Sequence, residues 1–426
     1  MSRVVRAVQR PHQTLGRIRR QLTRHQRTTF LLASGVSTAG SFAGLTAKGW
    51  LLMEGAGNPL LLALHFAFLT LPTLAVSGPA GVLTDRIGSE RVLIRAQWAL
   101  FAAAVLGTVA IPLSSGSLQD ALLLLSTLGI GVASAYELTA RNKYVALLVE
   151  EPQQLGPYLA SFSVIFNVGK LVGPPIGGLL LAATGPTLAL GLDAASYLLP
   201  ITTLLWLMAP NRQRERRSAL GAASSLISAW RGCGSQLRHV LVFTGLACLV
   251  GFFHPGLAPL MALKLLGPSP LALGLFTSLI AAGSISGGVL LQRRAVILGS
   301  RPGLLLGAST LITGLAQLGL ALQGPQWWEL AMAFLIGGGT ACLLAGTNLI
   351  IQVHAPQVLR GRMAGLGQIA FLGGGGLSGL MAAGLSLSLP QGIWGCFALL
   401  GSLGAVLGCW ELARHRGTRL GEARLD

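Results

Sequence analysis

Charge is what this chain has least of. Only 10% of its 426 residues are Asp, Glu, Lys or Arg, against the roughly 25% of a soluble domain. That excludes an ordinary water-soluble exterior, and with it the two or three soluble domains that length alone would predict. Acidic residues are scarcer still, 13 against 31 Lys and Arg, for a net charge of +18. Nucleic-acid binding would need that charge clustered on a folded face. Here it is spread over short connectors, where it orients the chain and attracts anionic headgroups. The five cysteines, Cys233, Cys248, Cys342, Cys396 and Cys409, show no metal-ligand spacing and read as packing residues, not a disulfide or zinc framework. No Gly-x-x-x-x-Gly-Lys-Ser/Thr loop occurs, which excludes ATP-driven transport by this chain alone. No catalytic constellation or cofactor motif stands out, so the chain is expected not to be an enzyme and to need no cofactor or metal.

What the chain has in abundance is apolar sequence, 52% of its residues, with a mean hydropathy of +0.67. Twelve stretches reach the ~20 residues needed to cross a bilayer: 28–53, 59–82, 92–113, 119–141, 156–183, 187–209, 238–265, 270–291, 303–322, 327–352, 363–388 and 391–412. Each is predicted to be a helix, because backbone in lipid must satisfy its own hydrogen bonds. Lys and Arg fill every second gap. They occur in the arm before Thr28, at Arg86 and Arg91, Arg141 and Lys143, Arg212 to Arg217, Arg293 and Arg294, Arg360 and Arg362, and Arg414 to Arg419. The connectors near Glu54, Ser115, Gly185, Pro268, Gln326 and Pro390 have none. By the positive-inside rule both termini are cytoplasmic. The first apolar run is too long for a cleaved signal peptide, so it reads as a permanent span.

The division that follows is a basic arm, 1–27, a six-helix bundle, 28–209, a polar linker, 210–237, a second bundle, 238–412, and a cytoplasmic tail, 413–426. Within the linker, Gly221 to Trp230 fits either a short interfacial helix or flexible chain. The halves repeat. Gly81-Val82-Leu83-Thr84-Asp85-Arg86 recurs as Gly288-Val289-Leu290-Leu291-Gln292-Arg293, and Pro152-Gln153-Gln154-Leu155 recurs as Pro356-Gln357-Val358-Leu359. Duplicated six-helix halves place a cavity between them near the midplane.

Two segments carry more than topology. Gly81 to Arg91 joins a glycine-rich turn to an acid, Asp85, in an otherwise basic connector, placed to face an Arg or a helix amino-terminus. Gly169-Lys170-Leu171-Val172-Gly173-Pro174-Pro175-Ile176-Gly177-Gly178 spaces small residues four apart for close helix contact and removes backbone donors at two prolines. The first segment resembles the loop between helices 2 and 3 of the major facilitator superfamily, matching at Gly81, Asp85, Arg86, Gly88 and Arg91 and departing at Ser89. In that family the loop is a cytoplasmic latch for the outward-facing state. The second copy has Gln292 at the acidic position, so the resemblance centres the latch on Asp85. The other segment is similar to the helix-5 motif of the family's exporters, through Gly169, Gly173, Pro174, Gly177 and Gly178, with Phe162 where an earlier glycine is expected. Arg141 to Gly178 and Thr347 to Arg362 further resemble the twelve-helix drug and siderophore exporters, such as macrolide and enterobactin exporters.

The resemblance implies a secondary transporter of the bacterial inner membrane, exporting an amphipathic drug, macrolide-like compound or siderophore against protons by alternating access. A lysophospholipid flippase and a non-transporting assembly factor or receptor are the alternatives. The implied partners are the substrate, protons and membrane lipids, with a monomer expected. Ionisable groups deep in the spans are the cavity candidates, since charge there calls for a partner or water. They are Lys170, His254, Asp193 and Lys48, of which Lys48 and Asp193 could pair. Glu137 precedes Arg141 by one turn and is expected to pair with it. Trp327 and Trp328 read as interfacial anchors, and Gly337 to Gly339 and Gly373 to Gly376 as helix-packing points.

Overall fold

The computed structural model describes residues 2–56, 58–149, 152–207, 230–356 and 360–422. Every regular element among them is a helix. The first half comprises α1 (Ser2–Ala56), α2 (Pro59–Thr70), α3 (Pro72–Ile87), α4 (Ser89–Leu113), α5 (Gly116–Leu148), α6 (Pro152–Thr184), α7 (Pro186–Ser196) and α8 (Leu198–Leu207). The second comprises α9 (Ser235–Gly251), α10 (His254–Leu266), α11 (Pro270–Arg293), α12 (Ala295–Gly299), α13 (Pro302–Ala321), α14 (Gln326–His354), α15 (Arg360–Ser388) and α16 (Ile393–Glu422). Among the described residues, eleven helical stretches are long and apolar enough to cross a membrane, and α6 adds the shorter apolar run Val168–Thr184. The chain is an all-helical membrane protein of twelve spans in two pseudo-symmetric bundles. The linker up to residue 229 lies outside the described residues.

Local chemistry places the turns. Pro59, Pro186, Pro270 and Pro302 open their helices, where a missing N–H costs nothing. Asn58 and Ser269 cap the adjoining backbone at Leu60 and Leu271. Gly88, at φ 94°, turns α3 into α4 in a conformation that L side chains avoid. The arm before Thr28 continues α1 as one helix.

Three spans are broken in the membrane: the second between α2 and α3, the sixth between α7 and α8, and the seventh between α9 and α10. The last break has a clear cause. Pro255 lacks the N–H that would bond the carbonyl of Gly251, and Gln317 Nε2 donates to that carbonyl instead, at 3.0 Å. A freed carbonyl in the membrane is thus satisfied from a neighbouring helix.

Equivalent helices pair in the two halves. α1 packs on α6 as α9 packs on α15, α4 on α5 as α13 on α14, and α4 on α7 as α13 on α16. Between halves, α6 meets α11 while α2 meets α15 and α10. One apolar core joins the halves, through Trp50, Leu62 and Leu181 on one side and Met261, Phe276 and Ala383 on the other. These residues lie toward the connectors without Lys or Arg, the end away from the termini. At the terminal end the described cores stay separate. Phe30, Leu93 and Tyr144 belong to the first half, and Leu237, Ile351 and Met363 to the second. Among the described residues the bundles therefore share a core at the far end and keep separate cores at the end that carries the termini.

Candidate functional site between and within the bundles

The helix-5 motif works as a two-sided joint. Gly169, Gly173 and Gly177 press α6 against Thr38, Ala39 and Ala43 of α1, while Gly178 meets Pro270 of α11 in the other half. Gly274 of α11 lies against Pro174 and Pro175 in return. Pro175 frees the carbonyl of Leu171, and Ser278 Oγ of α11 donates to it at 3.4 Å. The motif predicted from glycine spacing thus forms the seam between halves.

Lys170 projects between the row that packs on α1 and the row that packs on α11, given 100° per residue, and is half-buried. Its Nζ lies 5.0 Å from the Phe166 ring centre and 5.7 Å from that of Phe42. A charge at the bilayer centre costs ~2.5–3.5 kcal/mol, and a desolvated cation–π contact returns about 2 kcal/mol. No carboxylate pairs with it among the described residues. Arg141 is different. It pairs with Glu137 at 2.9 Å, as expected, and lies over Phe162 and Phe166.

Lys48 and Asp193 are not at the seam. Both are buried inside the first bundle. They attract one another electrostatically, as the possible pairing in the sequence allows, but make no direct ion pair. Lys48 Nζ donates to Ser126 Oγ at 2.8 Å, and Ser126 donates to the carbonyl of Ala103. Asp193 packs on Gly44, where no side chain would fit, and its Oδ1 has no hydrogen-bond partner. His65, which sequence reasoning missed, completes this cluster. It is buried, its Nδ1 lies 2.9 Å from Thr127 Oγ1, and its ring meets the Leu45 carbonyl beside Lys48.

His254 occupies a third place. At the first residue of α10 it is buried, with Nδ1 unpartnered and its ring on the Gly251 carbonyl that Pro255 frees. Phe252 stands edge-on to it at 5.0 Å and contacts Phe371 and Phe66, the latter from the other half. Shifted by the offset that maps Gly81 onto Gly288, Lys48 falls on Pro255. Each half thus has a buried ionisable group near the same point of its first span, one residue out of register.

Asp85 Oδ1 accepts from Lys143 Nζ at 2.8 Å, an ion pair between α3 and α5 of the same half. Arg86 and Arg91 are exposed. A Cβ at Gly81 or Gly288 would meet nothing within 4 Å. Trp327 is 68% exposed, as an interfacial anchor should be. Trp328 instead donates Nε1 to the Gly319 carbonyl at 2.8 Å, tying its hairpin, a contact invisible in sequence. The glycine runs pack helices: Gly337 on Ile280 and Gly376 on Thr70 and Leu71.

Residues 22–410 match the family model described as transmembrane secretion effector, a facilitator family. The chain belongs to the major facilitator superfamily. This facilitator is 26% identical over 394 residues to the multidrug efflux pump Tap of Mycolicibacterium fortuitum, covering 87% of this chain and 94% of that protein. It is 28% identical over 315 residues to the enterobactin exporter EntS of Salmonella choleraesuis, covering 72% of each. A solved peptide transporter of the POT type, in complex with sulfate, superposes with a TM-score of 0.67 at 16% identity, covering 91% of this chain and 94% of that one. At that identity the likeness is one of fold. The facilitator's relatives are transporters, and it is a membrane transporter and not an enzyme.

Proposed function

We propose that this facilitator is a secondary exporter of the bacterial inner membrane, moving an amphipathic small molecule out of the cytoplasm against proton entry, with both termini cytoplasmic. The observation that carries the reading is the single shared apolar core at the far end, with separate cores at the terminal end. With Lys and Arg marking the inner face, that is an inward-open exporter ready to load. The named activities of Tap and EntS are both export, which favours outward over inward transport. Proton entry is assigned to Asp193, Lys48 and His65, a buried set with an orphaned carboxylate oxygen. His254 is the corresponding polar point of the second half. The Asp85 loop acts as the latch of the opposite, outward-facing state, in which the parted ends close.

Closure makes a prediction at Gly81, whose surroundings are open here. Gly81→Leu should leave the thermal midpoint within about 2 °C of wild type, as a change touching nothing does. It should slow export in inside-out vesicles by about tenfold or more, the equivalent of 1.4 kcal/mol against the closed state. The assay imposes a pH gradient, acid inside, and follows uptake of an amphipathic dye panel. Gradient-independent flux in wild type would remove the proton assignment. Wild-type rates in Gly81→Leu would remove the latch.

A further inference from the structure

Lys170 faces the seam between halves with the rings of Phe42 and Phe166 beside its Nζ. The acids available to it are few enough to name. The helices around the seam, α2, α6, α9, α10, α11 and α15, contain no Asp or Glu at all, α1 has only Glu54 near its far end, and α3 has only Asp85, which Lys143 holds. On α5, Glu137 is held by Arg141 and Gln97, and Asp120 lies in the second turn, at the far end. On α14, Glu329 is in the first turn. Asp193 is enclosed in the first bundle against Gly44. Among the described residues, the seam thus presents a cation with no anion of the protein's own. Phe42 and Phe166 stand edge-to-face beside it, 6.2 Å between centres.

We infer that the transported compound is an organic anion with a flat apolar body, its negative group meeting Lys170 and its rings lying against Phe42 and Phe166. An anion supplies the counter-charge that no neighbouring helix provides, and it strengthens as water is excluded on closure. A planar ring fits a pair of phenylalanines already set edge-to-face. A cationic amphiphile, by contrast, would meet like charge at the seam. This inference rests on the export reading and names the substrate class for it.

The test uses the full chain in proteoliposomes with two probes of similar size, a naphthalene sulfonate and a phenanthridinium cation. Wild type should move the sulfonate and favour it over the cation. Lys170→Gln should lower sulfonate flux about tenfold or more, a loss of roughly 1.4 kcal/mol, without lowering cation flux. Lys170→Arg, which keeps the charge, should retain it within about threefold. Preference of wild type for the cation overturns the inference and leaves export standing. So does unchanged sulfonate flux in Lys170→Gln. Failure of wild type to move either probe, beside protein-free vesicles, counts against export itself and takes the inference with it.

Discussion

Gly337→Leu is expected to leave almost no folded protein. Gly337 sits where α14 crosses α11, and a Cβ there would overlap the carbonyl of Ile280. Gly283, on the facing helix, is pressed in the same way against the carbonyl of Phe334. Overpacking of an ordinary core costs about 1–3 kcal/mol because side chains yield. Here both obstacles are main chain, so the helices themselves must separate and lose the close contact that holds membrane helices together. The cost should exceed about 3 kcal/mol, the upper part of the range for single substitutions. Size-exclusion profiles of the detergent-extracted protein read it directly. Gly288→Leu, on the same helix as Gly283, meets open space and should elute as wild type does. Equal loss in both variants would mean that leucine at these positions harms insertion rather than packing.

The buried cluster of the first bundle gives the second large effect. Lys48→Met removes the cation that faces Asp193 and leaves its carboxylate enclosed beside Gly44 and Ser196. Breaking a buried charge pair from one side costs about 3–5 kcal/mol. The lower end applies, since the two groups are not in direct contact. Asp193→Leu alone should cost a similar amount by stranding Lys48 on Ser126. The double variant should recover at least about 1 kcal/mol of the summed loss, as coupled residues do. Thermal melts of the four proteins measure this, with both singles also losing gradient-driven export. Strict additivity would show that the two side chains do not sense each other.

Much of the fold was legible because the physics that sets it is one-dimensional. Lys and Arg in alternate gaps, proline at helix starts and glycine in tight turns are all local. The helix-5 motif was legible for the same reason, since residues four apart share a face. Glu137 and Arg141 were readable as one helical turn. What was hidden depends on partners far away in sequence. His65 lies in an otherwise apolar run, and its meaning comes from Thr127. Lys48 and Asp193 could be seen as possible partners, but the hydroxyl on α5 that Lys48 bonds could not. The aromatic seat of Lys170 includes Phe42, which lies on another helix and which the motif itself does not specify. Candidates chosen by charge alone therefore resolved into three places: the seam, the first bundle's interior and the break at His254.

The central claim is that two rigid bundles exchange which end is closed. Spin labels on a chain freed of its five cysteines measure it, one pair at Val82 and Val353 and the other at Leu113 and Leu322, all four exposed. Each pair spans the two halves, the first at the terminal end and the second at the far end. On adding transported compound, the first distance distribution should shorten while the second lengthens. Two distributions that move in the same direction, or that stay fixed while flux proceeds, would contradict alternating access by this chain.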